Sequence, residues 1–136
     1  MDKKPKLLFF NDDKLLATMY EKKFIQTGFE VKIIGKYPEN IVEIAVQEKP
    51  DIIACDVAMP GMDGFEAVGL LKQDEKTKNI PVVFFTNMGE KENIDKGMAL
   101  GAAGYLVMAK TPPEKASQIF KDFLIKSGKF QDSDFS

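Results

Sequence analysis

Five short apolar runs, each followed by a stretch of helical spacing, limit what this chain can fold into more than any other feature. The runs are "LLFF" at Leu7 to Phe10, "VKII" at Val31 to Ile34, "IIAC" at Ile52 to Cys55, "VVFF" at Val82 to Phe85 and "YLV" at Tyr105 to Val107. A strand with one wet face alternates apolar and polar residues, whereas a strand covered on both faces can be apolar throughout. Between the runs, Leu16, Tyr20 and Phe24 step by four, Ile41, Val42, Ala45 and Val46 repeat at helical intervals, and Phe65, Val68 and Leu71 step by three. Ile94 with Met98, and Ala116, Ile119, Phe120, Phe123 and Leu124, supply the last two stripes. Strand and helix in alternation predict an α/β fold: a doubly wound parallel sheet of five strands with five helices and right-handed crossovers.

The punctuation agrees with that reading. "TGF" at Thr27 to Phe29 closes the first helix, "KPD" and "NIP" precede the third and fourth strands, and Pro112 with Pro113 open the last helix. One domain over residues 1–126 is expected, followed by a small, polar tail over 127–136, expected to be mobile, with Phe130 and Phe135 as its apolar handles.

Composition removes several kinds of function. The chain has 136 residues and no histidine, so imidazole acid–base chemistry and His metal sites are absent. Its single cysteine, Cys55, lies inside an apolar run and reads as a buried thiol. A net charge of -2 with scattered lysines gives no footprint for nucleic acid or an anionic membrane. No run approaches the roughly 20 apolar residues that span a bilayer, and a cytoplasmic protein is expected.

In a doubly wound sheet the ligand site lies beyond the carboxyl ends of the strands. Asn11, Asp12 and Asp13 follow the first run, Asp56 the third, Thr86 the fourth and Met108 the fifth. With strand order 2-1-3-4-5, the acids after strands 1 and 3 converge. Two carboxylates about 4 Å apart repel by roughly 4 kcal/mol at an effective dielectric near 20, so such a pair calls for a cation or a raised pKa. Oxygen donors without His or Cys suit Mg2+, which keeps several waters and needs only one or two carboxylates. Taken singly, each residue has a plainer reading: Asp13 as a helix cap, Asp56 with "MPG" as turn chemistry, Thr86 as another cap. Their arrival at neighbouring strand ends favours a common site.

These residues resemble the receiver domain of bacterial two-component response regulators. The resemblance runs from about Lys6 to Lys126 and rests on "FFNDD", "DVAMPGMDGFE", "VVFFT" and "GAAGYLV" with the spacing between them. It implies a flavodoxin-like fold and uptake of a phosphoryl group, with Mg2+, from a histidine kinase or phosphotransfer protein. The phosphoacceptor matches Asp56, the direct metal ligand Asp12, and a further ligand the backbone carbonyl of Ala58. Thr86 matches the switch hydroxyl and Tyr105 the switch aromatic. A downstream protein partner is implied, as is homodimerisation through the strand 4 to helix 5 face.

Two positions depart from the family pattern. Asn11 stands where an acid is usual, leaving at most an outer-shell contact to the metal. Met108 stands where the family has a lysine, with Ala109 at the proline that often follows, so a differently shaped loop is expected. Lys110, about 6.6 Å further along an extended chain, either folds back to replace that lysine or faces water. The alternative to a phosphoacceptor is therefore an interaction module that keeps the fold without the switch. An aspartate-nucleophile phosphatase fits poorly, because the position of its general acid, two residues after the nucleophile, is Ala58.

Overall fold

In the computed structural model, which describes residues 4–135, the strands are β1 (Lys6–Phe10), β2 (Glu30–Ile34), β3 (Ile52–Cys55), β4 (Val82–Thr86) and β5 (Gly104–Val107). The α-helices are α1 (Lys14–Thr27), α2 (Ile41–Glu48), α3 (Gly64–Gln73), α4 (Lys91–Ala99) and α5 (Pro113–Lys126). All strand pairs are parallel, in the order β2-β1-β3-β4-β5. That is the flavodoxin-like arrangement expected from the alternation of runs and stripes.

The apolar runs are explained by a core on each side of the sheet. Leu7, Phe9, Ile52, Ala54, Val83 and Phe85 face α1 and α5, where Tyr20, Phe24, Phe120 and Leu124 meet them. Leu8, Phe10, Ile53, Cys55, Val82 and Phe84 face the other way, onto Ile41, Ala45, Val68 and Leu71. Residues adjacent in a strand point to opposite faces, so only a continuous apolar run fills both layers. β2 and β5, at the sheet edges, are less covered than the three central strands.

Gly28 ends α1 in the left-handed conformation, as "TGF" indicated, and Pro113 opens α5. α4 differs from its expected stripe. Met98 is exposed, and the buried residue of this helix is Gly97, where a Cβ would come within 3.0 Å of the Phe84 and Tyr105 rings.

The segment after Lys126 is a correction to the expected mobile tail. Phe130 and Phe135 are both buried, a short 3-10 helix spans Asp132–Phe135, and the Phe135 ring packs edge-on against Phe29 at 5.2 Å. Lys121 holds Asp132 at 2.7 Å. A Cβ on Gly28 would lie 2.0 Å from the Phe135 carbonyl oxygen, so the glycine that ends α1 also makes room for the returning chain. Two aromatic rings bury enough apolar surface to seat a segment whose composition is otherwise polar. Among the described residues, no helix is long and apolar enough to cross a membrane.

Candidate functional site

The carboxyl ends of β1, β3, β4 and β5 each deliver a residue to one edge of the sheet. The three residues of "NDD" divide their work. Asn11 is buried, and its side-chain oxygen accepts from the Asp13 N–H at 2.9 Å. Asp13 caps α1 by accepting from the Leu16 N–H at 3.0 Å. Asp12 is left exposed between them, with its carboxylate free of capping duty.

Asp56 follows β3 directly. Its N–H donates to the Phe10 carbonyl at 3.3 Å, which fastens it beside the end of β1. Burial is the largest influence on its carboxyl and pushes the pKa up; Asp12 adds to the rise, while hydrogen bonds from Thr86 and from the N–H groups of Val57 and Ala58 oppose it. The acid after strand 1 and the hydroxyl that ends β4 thus both act on the Asp56 carboxyl, in opposite directions. Cys55, one residue earlier, points into the core, where burial pushes its thiol up to about 12 and leaves it unreactive.

The turn after Asp56 is built by its neighbours. Gly61 takes a positive φ of 98°, and Asp63 caps α3 by accepting from the Glu66 N–H at 2.8 Å. The Gly64 N–H donates to the Val57 carbonyl at 2.8 Å, and a Cβ on Gly64 would stand 2.2 Å from the Asp56 carbonyl oxygen. "DG" is therefore a cap followed by a residue with no room for a side chain.

Thr86 ends β4, is 1% exposed, and its hydroxyl accepts from the Met88 N–H at 3.3 Å. Tyr105 on β5 is half-buried, stacks on Phe84 with ring centroids 5.3 Å apart, and donates its hydroxyl proton to the Met88 carbonyl. Thr86 and Tyr105 thus both engage Met88, one at its N–H and the other at its carbonyl. Met108 is buried among Ala17, Tyr20 and Phe85 at the start of a short 3-10 turn, Met108–Lys110, and its sulfur lies 3.9 Å from the Asn11 amide nitrogen. Lys110 is exposed, its side chain makes no hydrogen bond or ion pair among the described residues, and it is not among the groups that act on the Asp56 carboxyl.

Asp12 and Asp56 supply carboxylate oxygens, and Ala58, exposed in the turn, offers a backbone carbonyl. Among the described residues, no group of three or more His, Cys, Asp or Glu side chains is placed to hold a metal. An ion here would draw on two carboxylates, a backbone oxygen and water, a donor set that suits Mg2+.

Three contacts at the site were not anticipated from the sequence. Tyr37, before α2, donates its hydroxyl proton to the Asp56 carbonyl at 2.7 Å. Asn87 accepts from the Ala109 N–H at 2.7 Å and ties the loop after β4 to the turn after β5. Tyr20 donates to the Thr111 carbonyl at 2.7 Å. For Tyr37, the "YP" pair in an otherwise polar loop was the available signal.

The sequence profile of the response regulator receiver domain matches residues 7–117. The chain is 31% identical over 116 residues to the phosphate regulon transcriptional regulatory protein PhoB of Rhizobium meliloti, covering 85% of this chain and 50% of that protein. To the response regulator PleD of Caulobacter vibrioides it is 34% identical over 101 residues, 74% of this chain and 22% of that protein. The chain thus spans about half the length of these curated relatives, or less. Among solved structures, the chemotaxis protein CheY4 of Vibrio cholerae superposes with a TM-score of 0.78 at 27% identity, covering 88% of this chain and 98% of that one. The receiver domain of the Francisella response regulator 1452 gives 0.78 at 26% identity, covering 92% and 99%. With the profile running through most of its length, from the first strand into the last helix, this chain belongs to the response regulator receiver domains.

Proposed function

We propose that Asp56 accepts a phosphoryl group from the phosphohistidine of a histidine kinase or phosphotransfer protein, and that the chain then signals by altering a protein-binding face. The observation that carries this reading is the half-buried Asp56 carboxyl at the end of β3, whose burial and the nearby Asp12 charge push its pKa up while Thr86 and the Val57 and Ala58 N–H groups oppose the rise. In the transfer, an Asp56 oxygen bonds to phosphorus as the donor's P–N bond breaks. The electron pair of that bond stays on the donor imidazole, which takes a proton from water, and Asp56 becomes an acyl phosphate. Asp12, Asp56 and the Ala58 carbonyl would hold Mg2+, with Asn11 in the outer shell; when bound, the ion supplies charge neutralisation at the phosphoryl oxygens. Thr86 turns its hydroxyl to the added charge, and Tyr105, joined to it through Met88, repacks against Phe84. Lys110 takes no part.

The face from β4 to α5, which carries Tyr105, is the surface assigned to a downstream protein or a second copy of the chain. The setting is the cytoplasm. Incubation with Mg2+ and acetyl phosphate should add one phosphoryl mass, and Asp56→Asn should abolish it. No adduct at any donor or metal concentration would refute the reading.

A second reading, an interaction module that works without phosphorylation, is favoured by the uncharged contact between Asn11 and Met108. It requires the same partner affinity with and without a phosphoryl mimic. A tenfold change, about 1.4 kcal/mol, would exclude it.

A further inference from the structure

Tyr37 holds the phosphoacceptor turn at both ends. The residue is 1% exposed, with its ring 4.8 Å from that of Phe10. Its hydroxyl donates to the Asp56 carbonyl at 2.7 Å, and its own backbone N–H donates to the Pro60 carbonyl at 3.0 Å. Gly61, next along, passes so close that a Cβ there would stand 2.2 Å from the Tyr37 carbonyl oxygen. Residues 57–59 are thereby strung between two points that one buried side chain and its backbone fix.

The grip reaches the carboxylate through covalent geometry. The Asp56 carbonyl and the Val57 N–H belong to one planar peptide unit and point in opposite directions from it. Holding the oxygen fixes the direction of the hydrogen, and the Val57 N–H is one of the backbone donors that offset the burial of the Asp56 carboxyl. We propose that Tyr37 is a positioning residue, which orients the Asp56–Val57 peptide so that the Val57 N–H is aimed at the carboxylate and the phosphoacceptor is held in its reactive orientation. The part of this proposal that concerns reactivity rests on Asp56 being the phosphoacceptor; the part that concerns the peptide does not.

The test uses the full chain with Tyr37→Phe, which deletes the hydroxyl and keeps the ring, beside Ile41→Val, a trim of one methylene in the same core layer. Amide hydrogen exchange without metal reads the peptide, and the rate of labelling by acetyl phosphate with Mg2+ reads the carboxylate. Tyr37→Phe is expected to speed Val57 exchange at least tenfold beyond the change at core amides and to slow labelling at least threefold. Ile41→Val is expected to leave both at the wild-type value relative to stability. Val57 exchange and labelling that follow global stability alike in the two variants would overturn the proposal. If the wild type takes no label, the phosphoacceptor reading fails by itself, and Val57 exchange alone decides: selective loss of protection upholds the positioning contact, and none overturns it.

Discussion

The Asn11 amide nitrogen lies 3.9 Å from the Met108 sulfur, across 97 residues of sequence. The two positions that the sequence reading sets apart from the receiver pattern therefore touch. Both side chains are neutral where the resemblance implies an acid and a lysine, an exchange that leaves the formal charge of the spot unchanged. Either charge alone would be buried without its counterpart, since Asn11 is 2% and Met108 4% exposed.

That contact predicts strong non-additivity. Asn11→Asp and Met108→Lys are each expected to destabilise the fold by about 2 kcal/mol, from an unpaired buried charge. The double variant should cost at least about 1 kcal/mol less than the sum, as the new charges pair. A urea-denaturation cycle measures this, and additive losses would mean that the two sites do not communicate.

Asp56→Asn should stabilise the protein near neutral pH. Burial raises the native carboxyl above its unfolded value of about 3.9, so the native state binds this proton more tightly than the unfolded chain. Below that value both states are protonated and the residue costs nothing. As pH rises through the native pKa, the folded protein must carry the buried charge, and stability falls. The gain from Asp56→Asn should thus be present at pH 7 and fade below about pH 4, as thermal unfolding at the two pH values would register.

Lys110→Ala is expected to change little. An exposed side chain without partners contributes within about 0.5 kcal/mol to stability, and labelling of Asp56 by acetyl phosphate should stay within about twofold, less than the tenfold that 1.4 kcal/mol represents. A large loss of labelling would show that Lys110 folds back over the site after all.

Much of this architecture was legible because its causes are local. Apolar runs need cover on both faces, and Gly28 and the Pro112–Pro113 pair act within one turn of the helices they bound. "NDD" is recognisable as a strand-end signature with Asp13 as a helix cap, although the separate placing of Asn11 and Asp12 needed coordinates. What stayed hidden depends on partners distant in sequence. Tyr37 looks like loop filler until the Asp56 carbonyl is beside it, and Met98 looked like a core residue because nothing local says that Gly97 meets two rings.

The final segment belongs with those hidden features. Phe135→Ala should cost about 3 kcal/mol, the usual scale for emptying a buried phenylalanine site. Because Phe29 and Gly28 lie just before β2, this pocket sits at the opposite end of the sheet from Asp56. Labelling of Asp56 by acetyl phosphate should accordingly proceed at the normal rate in the folded fraction, which separates a stability defect from a site defect.

The glycine under α4 has a mechanical meaning. The other four α-helices each drive at least one side chain into the core, whereas the buried residue of α4 is a notch that straddles the Phe84 and Tyr105 rings. A peg must be withdrawn before its helix can travel; a notch lets it slide. Glycine also weakens the helix itself by about 1 kcal/mol relative to alanine. α4 is therefore the α-helix of this fold least anchored by buried side chains, and it rests on the tyrosine whose hydroxyl is latched to the loop after β4.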